Sequence, residues 1–527
     1  MSTTDVTVAD ARPAAGPGLV DLLRRAGGDD RLPFGVLMAL AVWWAFTMGR
    51  LIVLRHDRFG TFDFDEGIYD QFLWQLAHGR TFDTVRGVTL EGHHAHVAFL
   101  LLVPLVWLGA GPNTWNVLFA ATMAATTIPL YFLAKDKLHS SWLGLLVGAV
   151  WLAQPTVQWM VQEGFHPDGM AIPFLIGTYL FGERMVAQKR ASGSVDRRTR
   201  WAFVACFLLT ISWKEDLALA LLGMGVVWII RRQYRFGAKV AVAGALWFVV
   251  FGVWLVPHFA GGSVYGGIYG DLGHTPAQIL VNSAVHPSKL VHRLEQNDAV
   301  GYSRELVRPY GFVPLLSPST LLIGAPQWFT NIISSASFTY DLHFHYQSIP
   351  MASLVISFVE GLSLLLRWRR WIGEGVGVVA LGFALYCSRT VGPSPLSIQY
   401  RSGEWPLIPD VDQSARETAV DLVPSGAGVS ADYLTVSHLT HRQIAYSFPN
   451  PWRNSNYGVT DAAHGDPAKV QYLVVNTTIL GNDQQLFDNI RASGEFRTVY
   501  NSGTEWVLER VEPPGHGTSP VVVPPPG

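Results

Sequence analysis

Cysteine, charge and internal repetition are all scarce in this 527-residue chain. The two cysteines, Cys206 and Cys387, lie inside apolar segments, so neither a disulfide framework nor a thiolate metal site is predicted. Charged residues make up 15% of the chain, against roughly 25% in soluble domains. With a net charge of −2 there is no strongly basic surface, and no nucleic-acid partner is expected. No cleavable signal peptide and no internal repeat are apparent.

Apolar and aromatic residues are abundant instead. Hydrophobic residues reach 49% and tryptophans number 19, which predicts a membrane protein with aromatic anchors at the bilayer interface. The predicted spans are 34–54, 114–133, 142–158, 169–182, 201–212, 217–230, 240–257, 354–366 and 375–387. Segment 97–108 is short for a span and suits an interfacial or re-entrant helix. Segment 306–335, interrupted by four prolines, is predicted to form a helical hairpin or one broken span.

The distribution of charge predicts how the chain is threaded through the membrane. Basic residues concentrate in the connections 24–25, 135–137, 184–200, 231–235 and 367–370. The positive-inside rule places these in the cytoplasm, together with the N-terminal tail 1–33. The remaining connections, including a large loop at 55–113, are then extracytoplasmic, and they carry acids and histidines.

The chain changes character after the last predicted span. A transmembrane domain at 34–388 is followed by a polar segment, 389–512, with turn residues, short apolar runs and helical patterns. We expect a soluble extracytoplasmic α/β domain there, and a disordered Pro- and Gly-rich tail at 513–527. The predicted fold is therefore an all-α polytopic bundle of about 9–11 transmembrane helices with a C-terminal α/β domain.

An acidic stretch, residues 62–71, stands at the centre of the functional prediction. It places four acids in ten positions, directly ahead of a helix-like pattern that ends at Gly79. Carboxylates are stabilised at a helix N-terminus, and one held at the mouth of a bundle can act as a general base. Asp65 and Glu66 are the catalytic candidates. Because adjacent side chains point in different directions, we expect only one of them to face a substrate.

A second cluster combines a carboxylate with three imidazoles. Glu91, His94 and His96 are candidate metal ligands, and His93 and His94 are candidate substrate contacts. Their spacing matches no well-known zinc pattern. The alternative is a polar loop ahead of an interfacial helix, capped by one histidine. A divalent metal cofactor is therefore an open prediction.

Three further polar clusters lie next to ends of spans on the same predicted side of the membrane. Each could be a helix cap or an internal salt bridge, but together they favour a shared polar site at one end of the bundle. The candidate substrate-binding residues that these clusters add are Glu163, His166, Asp168, Lys214, Glu215, Asp216, His345 and Tyr346.

The order of these features resembles the GT-C superfamily of polyprenyl-phosphate-dependent glycosyltransferases, such as protein O-mannosyltransferases and aminoarabinose transferases. In that superfamily the first outer loop carries an Asp-Glu pair, and Phe64–Tyr69 is similar to it. The resemblance implies that Asp65 is the base that activates the acceptor. It also implies a polyprenyl-phosphate-linked sugar donor, membrane-lipid contacts, and a glycan, lipid or protein of the cell envelope as acceptor.

A closer likeness is to an uncharacterised, GT-C-like family of bacterial multispanning proteins of the "domain of unknown function" kind. It rests on short motifs spread from the first outer loop towards the C-terminal domain, namely 64–71, 92–94, 165–168, 214–216 and 345–346. This likeness implies a multi-pass protein of the bacterial cytoplasmic membrane with its active site outside the cytoplasm.

The leading hypothesis is an inverting glycosyltransferase, and two other classes are weighed against it. A transporter would place ionisable residues near the bilayer midplane along a path, whereas these cluster at the ends of the spans. A non-catalytic scaffold or sensor would use the C-terminal domain to bind a partner and the outer charges for solvation. Convergence of Asp65, His94, His166 and Glu215 would favour the enzyme, and dispersal would favour the scaffold.

Overall fold

The computed structural model describes residues 31–262, 266–454 and 465–512. The predicted disordered tail and almost all of the predicted cytoplasmic tail lie outside the described residues.

The first half of the bundle contains α1 (Arg31–Asp57), α2 (Ile68–Ala77), α3 (Leu90–His93), α4 (Val103–Trp107), α5 (Pro112–Ala125), α6 (Thr127–Leu138), α7 (Ser141–Leu152), α8 (Pro155–Glu163), α9 (Pro167–Met170) and α10 (Ile172–Ser192). The second half contains α11 (Arg197–Ile211), α12 (Leu217–Ile230), α13 (Tyr234–Trp247), α14 (Val256–Ala260), α15 (Pro276–Val285), α16 (Pro287–Gln296), α17 (Ala299–Val307), α18 (Pro318–Leu321), α19 (Ala325–Ile333), α20 (Ser348–Trp368) and α21 (Arg370–Val391).

All nine segments predicted to span the membrane lie in helical parts of the chain. Among the described residues, five helices are long and apolar enough to cross a bilayer. They are Arg31–Asp57, Pro112–Leu138, Tyr234–Ala260, His345–Trp368 and Arg370–Val391. A sixth is possible if α7 and α8, which meet at 49°, form one broken span. The break has a local cause, because Pro155 disfavours helical backbone at the preceding Gln154, which is extended.

The spans differ in how much of their surface faces lipid. The most apolar part of Tyr234–Ala260 is only 22% buried within the protein, although its mean hydropathy is 2.2. An apolar surface of this size is stable only against hydrocarbon. The corresponding part of His345–Trp368 is 83% buried, so this span lies at the centre of the bundle.

The two ambiguous segments are both irregular. Segment 97–108 forms a 3₁₀ turn, Val97–Leu101, followed by the short α4, and Leu108 is 84% exposed. An exposed apolar side chain of this kind agrees with the predicted interfacial helix. Segment 306–335 is divided at its prolines into short helical pieces that include α18 and α19.

The C-terminal domain contains a mixed five-stranded sheet. Its strands and helices, numbered after the small hairpin β1 (Phe82–Asp83) and β2 (Val88–Thr89), are α22 (Gln413–Asp421), β3 (Val429–Ala431), β4 (Ala445–Ser447), β5 (Tyr472–Asn476), α23 (Gln484–Ala492), β6 (Phe496–Asn501) and β7 (Glu505–Arg510). The strand order is β4-β3-β5-β7-β6, with β3 parallel to both β4 and β5 and the other pairs antiparallel. This confirms the α/β domain predicted from the sequence.

The C-terminal domain packs directly on the acidic stretch. The backbone N–H of Asp63 donates to the carbonyl of Tyr433 at 2.8 Å. The Thr84 hydroxyl donates to the Ala445 carbonyl at 2.7 Å and accepts from its N–H at 2.8 Å. The loop after β3 therefore holds the start of the acidic stretch, and the start of β4 holds the hairpin that follows α2.

Candidate active site

Asp65 lies in a tight turn, Asp63–Gly67, that leads into α2. Its φ and ψ are +66° and −71°, a region that non-glycine residues rarely adopt. The N–H of Ile68 bonds to the carbonyls of Asp63 and Asp65, and this closes the turn. Strained backbone of this kind persists only where the surrounding structure holds it, and it is concentrated at functional sites.

The turn brings Asp65 against the last residue of α8, a residue that follows α8 and one that precedes α20. Asp65 Oδ2 lies 3.2 Å from His166 Nε2, and the same nitrogen lies 3.6 Å from Glu163 Oε1. Glu163 Oε1 also lies 3.0 Å from Nδ1 of His345, whose ring stacks on that of His166 at 3.9 Å. His166 Nδ1 lies 3.0 Å from the Gly164 carbonyl, to which it can only donate, so Nε2 is directed at the carboxylates. We call Asp65, Glu163, His166 and His345 the central cluster.

Asp65 and His166 form an ion pair at neutral pH. Burial opposes ionisation of Asp65, but the charge and hydrogen bond of His166 outweigh it and lower the pKa of Asp65 to about 2. Burial likewise opposes the imidazolium, but the carboxylates of Glu163 and Asp65 raise the pKa of His166 to about 10. The pair therefore presents a fixed carboxylate beside a fixed cation.

Glu66 points away from the central cluster. Its Oε1 accepts a 2.7 Å hydrogen bond from Asn116 Nδ2, and Asn116 Oδ1 accepts from the N–H of Phe165 at 3.1 Å. Burial, followed by the neighbouring carboxylate of Asp70, raises the pKa of Glu66 to about 8. These are the contacts of a neutral structural acid that connects two loops, and a catalytic role for Glu66 stays a prediction.

Lys214 adds a second cation near the central cluster. Its Nζ lies 3.4 Å from Asp216 Oδ2, and the side chain is buried. Burial favours the neutral amine, but Asp216 and Asp168 outweigh it and hold the pKa of Lys214 well above its ordinary value. Asp168 accepts a hydrogen bond from the N–H of Gly169 at 3.1 Å. Burial opposes its ionisation, but the charges of His345 and Lys214 lower the pKa of Asp168.

The histidines of the second cluster are held by the turn between α11 and α12. His94 Nδ1 lies 2.7 Å from Glu215 Oε1, and the other oxygen of Glu215 accepts from the N–H of Ala95 at 3.0 Å. His96 Nδ1 donates to the Trp213 carbonyl at 2.7 Å. Burial opposes ionisation of Glu215, but His94 lowers its pKa.

Tyr69 connects the two histidine groups. Its ring meets those of His93, His96 and His166 edge-on, at 5.9, 5.5 and 6.0 Å. Tyr346 lies beside the central cluster, with its ring 4.2 Å from that of His345. The predicted site residues thus lie in two adjoining groups. Glu91 makes no hydrogen bond to either group within the described part of the chain.

The relationship of the chain to known proteins agrees with this architecture. A family model described as a predicted membrane protein, DUF2079, matches residues 55–505. The chain belongs to the DUF2079 family. A comparison with proteins of curated function finds no match for this DUF2079 protein.

Two solved structures of ArnT from Cupriavidus metallidurans share the fold of this DUF2079 protein. The apo structure is 13% identical with a TM-score of 0.51, and the structure bound to undecaprenyl phosphate is 12% identical with a TM-score of 0.50. Each match covers 90% of this chain and 98% of the ArnT chain. The likeness confirms the GT-C-like membrane fold predicted from the sequence.

The central cluster has the composition of a metal site. One ligand atom from each of its four residues lies within 4.8 Å of the others, and no second group of this kind occurs in residues 31–262, 266–454 and 465–512. Two imidazoles and two carboxylates suit Zn²⁺ or a similar transition metal, and the buried Glu163 Oε2 has no hydrogen-bond partner. His166 would have to lose its proton before ligating. A metal on Glu91, His94 and His96 stays a prediction.

Two contacts beside the candidate site were not predicted from the sequence. Asn116 connects Glu66 to the loop that carries His166. A single amide side chain within the apolar segment 114–133 could have indicated this polar contact from the sequence. Asp70 is buried and accepts from the Trp115 indole at 2.7 Å, while His441 of the C-terminal domain lies 3.1 Å from it. Nothing in the local sequence around His441 indicates this contact.

Proposed function

We propose that this DUF2079 protein transfers a sugar from a polyprenyl-phosphate carrier to an acceptor hydroxyl or amine, with Asp65 as the general base. The observation that carries the proposal is the convergence of Asp65 with Glu163, His166 and His345, which come from three separate connections of the bundle. A structural neighbour, ArnT, is bound to undecaprenyl phosphate, which supports a lipid phosphate as the donor.

The leaving group is an anionic lipid phosphate whose charge grows as the sugar departs. His166 and Lys214 are both cationic at neutral pH because neighbouring carboxylates stabilise their protonated forms. Buried cations that are already in position stabilise developing negative charge without reorganisation. We assign the phosphate-binding role to these two side chains.

Asp65 receives the acceptor proton. The bond between the anomeric carbon and the acceptor atom forms as the bond to the phosphate oxygen breaks, and inversion follows from this single displacement. An attacking hydroxyl becomes strongly acidic once it bonds to an oxocarbenium-like carbon. A carboxylate with a pKa of about 2 is basic enough for that late proton transfer.

The site is proposed to face the outside of the cytoplasmic membrane of a bacterium. The clusters of basic residues lie in connections at the other ends of the spans, and such residues are retained in the cytoplasm. The acceptor is then a glycan, lipid or protein of the cell envelope.

Sugar transfer by purified protein tests this function. A panel of radiolabelled polyprenyl-phosphate sugars is incubated with the wild type, Asp65→Asn and Asp57→Asn. Asparagine has the size and shape of aspartate, so the first variant should fold and lose about 10²–10⁴-fold in rate. Asp57, at the end of α1, pairs with Asn113 rather than with the central cluster, so its variant is the control. Wild-type rates in Asp65→Asn would remove Asp65 as the base.

A further inference from the structure

The loop that follows the span Tyr234–Ala260 contains a short apolar helix, α15 (Pro276–Val285). The start of this helix is well defined, because Pro276 occupies its first position and the Thr275 hydroxyl accepts from the N–H of Gln278 at 3.2 Å. None of its ten residues is charged. The loop therefore carries a properly capped helix with the composition of a buried or membrane-embedded segment.

The polar side chains of α15 bind back to the protein. The N–H of His274 donates to Gln278 Oε1 at 2.9 Å, and Asn282 Nδ2 donates to the Leu272 carbonyl at 3.0 Å. Ser283 is buried. The hydrogen-bonding groups of the helix thus hold the loop that precedes it.

The large apolar side chains of α15 are mostly exposed. Leu280, Val281 and Val285 are 64%, 58% and 63% exposed within the part of the chain that the structure describes, and only Ile279 is buried. A surface helix in water has the reverse arrangement, with its apolar stripe on the core and its polar residues outside. The arrangement in α15 is inverted, and its outer face suits hydrocarbon rather than water.

α15 lies at the end of the bundle that carries the candidate active site. The turn segment Gly266–Leu272, which leads into this helix, contains Tyr269. Burial, followed by the charge of Asp216, raises the pKa of Tyr269 to about 12, so the phenol lies close to the pair formed by Asp216 and Lys214. Because only a short stretch of chain joins Tyr269 to α15, the helix lies at the same end of the bundle.

The preceding span faces lipid up to its last turns and ends at the same place. Trp254 and Phe259, near the end of the span, are exposed. The last residue, Ala260, packs closely on the second histidine cluster, since a Cβ added to Gly92 would lie 3.0 Å from the backbone nitrogen of Ala260. The apolar face of α15 therefore continues a surface that hydrocarbon already covers.

We propose that the exposed face of α15 is immersed in the membrane leaflet at the candidate-site end of the bundle, with Leu280, Val281 and Val285 among the lipid acyl chains. An interfacial helix is held in this way by the apolar area that it buries in the leaflet. The connection after Tyr234–Ala260 is then a membrane-associated element and not a wholly aqueous loop. The inference does not depend on sugar transfer.

Photo-crosslinking of the full-length protein in lipid nanodiscs tests the proposal. A diazirine-bearing amino acid of about the size of leucine replaces Val281, and its adducts are identified by mass spectrometry. We expect lipid adducts in a yield comparable to that of the same probe at Val242, which is exposed on the span Tyr234–Ala260. Val499, an exposed valine on β6 of the C-terminal domain, is the matched control, at which we expect water adducts. A probe at Leu280 repeats the measurement independently.

Four results would overturn the inference. Water adducts alone at both Val281 and Leu280 would place α15 in solvent. Adducts to a second copy of the chain would identify the face as an interface between proteins. Adducts to another segment of the same chain would show that the protein itself covers α15. Lipid adducts at Val499 as abundant as those at Val281 would indicate diffuse contact with lipid and no immersion of this helix.

Discussion

Replacement of Glu66 by glutamine should stabilise the protein, increasingly so at higher pH. Burial, followed by Asp70, raises the pKa of Glu66 from 4.5 to about 8, so the folded protein holds a proton that the unfolded chain releases. The stability that this proton confers is fully present below pH 4.5 and is lost as pH rises through 8. Compared with an uncharged side chain at position 66, glutamate therefore lowers the free energy of unfolding by about 1 kcal/mol at pH 5, about 3 kcal/mol at pH 7 and roughly 5 kcal/mol at pH 9.

Glutamine retains the oxygen that accepts from Asn116 and carries no charge at any pH. For a chain of this length, a change of about 1 kcal/mol in the free energy of unfolding shifts Tm by about one degree. Glu66→Gln should therefore raise Tm by about 3 °C at pH 7 and by more at pH 9, as measured by thermal unfolding in detergent. Glu417→Gln, which removes an exposed carboxylate on α22, is the control. A Tm difference that stays constant from pH 5 to 9 would refute the assignment of Glu66 as a buried neutral acid.

Two further predictions concern the same loops. Gly164→Ala should destabilise the protein by about 2–4 kcal/mol, because the new Cβ would lie 2.8 Å from Glu66 Oε2 at a φ of +119°. Gly193→Ala, also at positive φ but with open space around it, should cost about 1 kcal/mol, and equal Tm losses would argue against the Glu66 contact. If the central cluster holds a metal, a chelator should lower the Tm of the wild type but not that of His345→Ala. Identical Tm shifts in the two proteins would show that His345 is not a ligand.

The location of the site was predictable, and its internal pairing was not. The connections between spans divide into a basic set, rich in Lys and Arg, and an acidic set that includes those with Asp65 and His166. This difference in composition is visible in the sequence. The partners of each side chain depend on which helices pack together, and no short-range pattern encodes this. His345 thus contacts Glu163, and His94 contacts Glu215.

The fold was predictable where composition decides it. Hydropathy located the helices of the bundle, and the change in character after Cys387 located the α/β domain. The short apolar runs at 470–475 and 506–511 of that domain coincide with β5 and β7 within two residues. The bend at Pro155 had a signal in the sequence, since proline breaks helices. The bond between Thr84 and Ala445 had none, because it depends on how two separately folded parts of the chain meet.

A structure of the protein with polyprenyl phosphate bound tests the central claim most directly. The proposal places the phosphate at hydrogen-bond distance, about 3 Å, from Lys214 and His166 and beside Asp65. Density for the phosphate at that position in a cryo-electron microscopy map would agree with the proposed catalytic centre. Density for the phosphate elsewhere, with the central cluster left apart from it, would contradict the proposal.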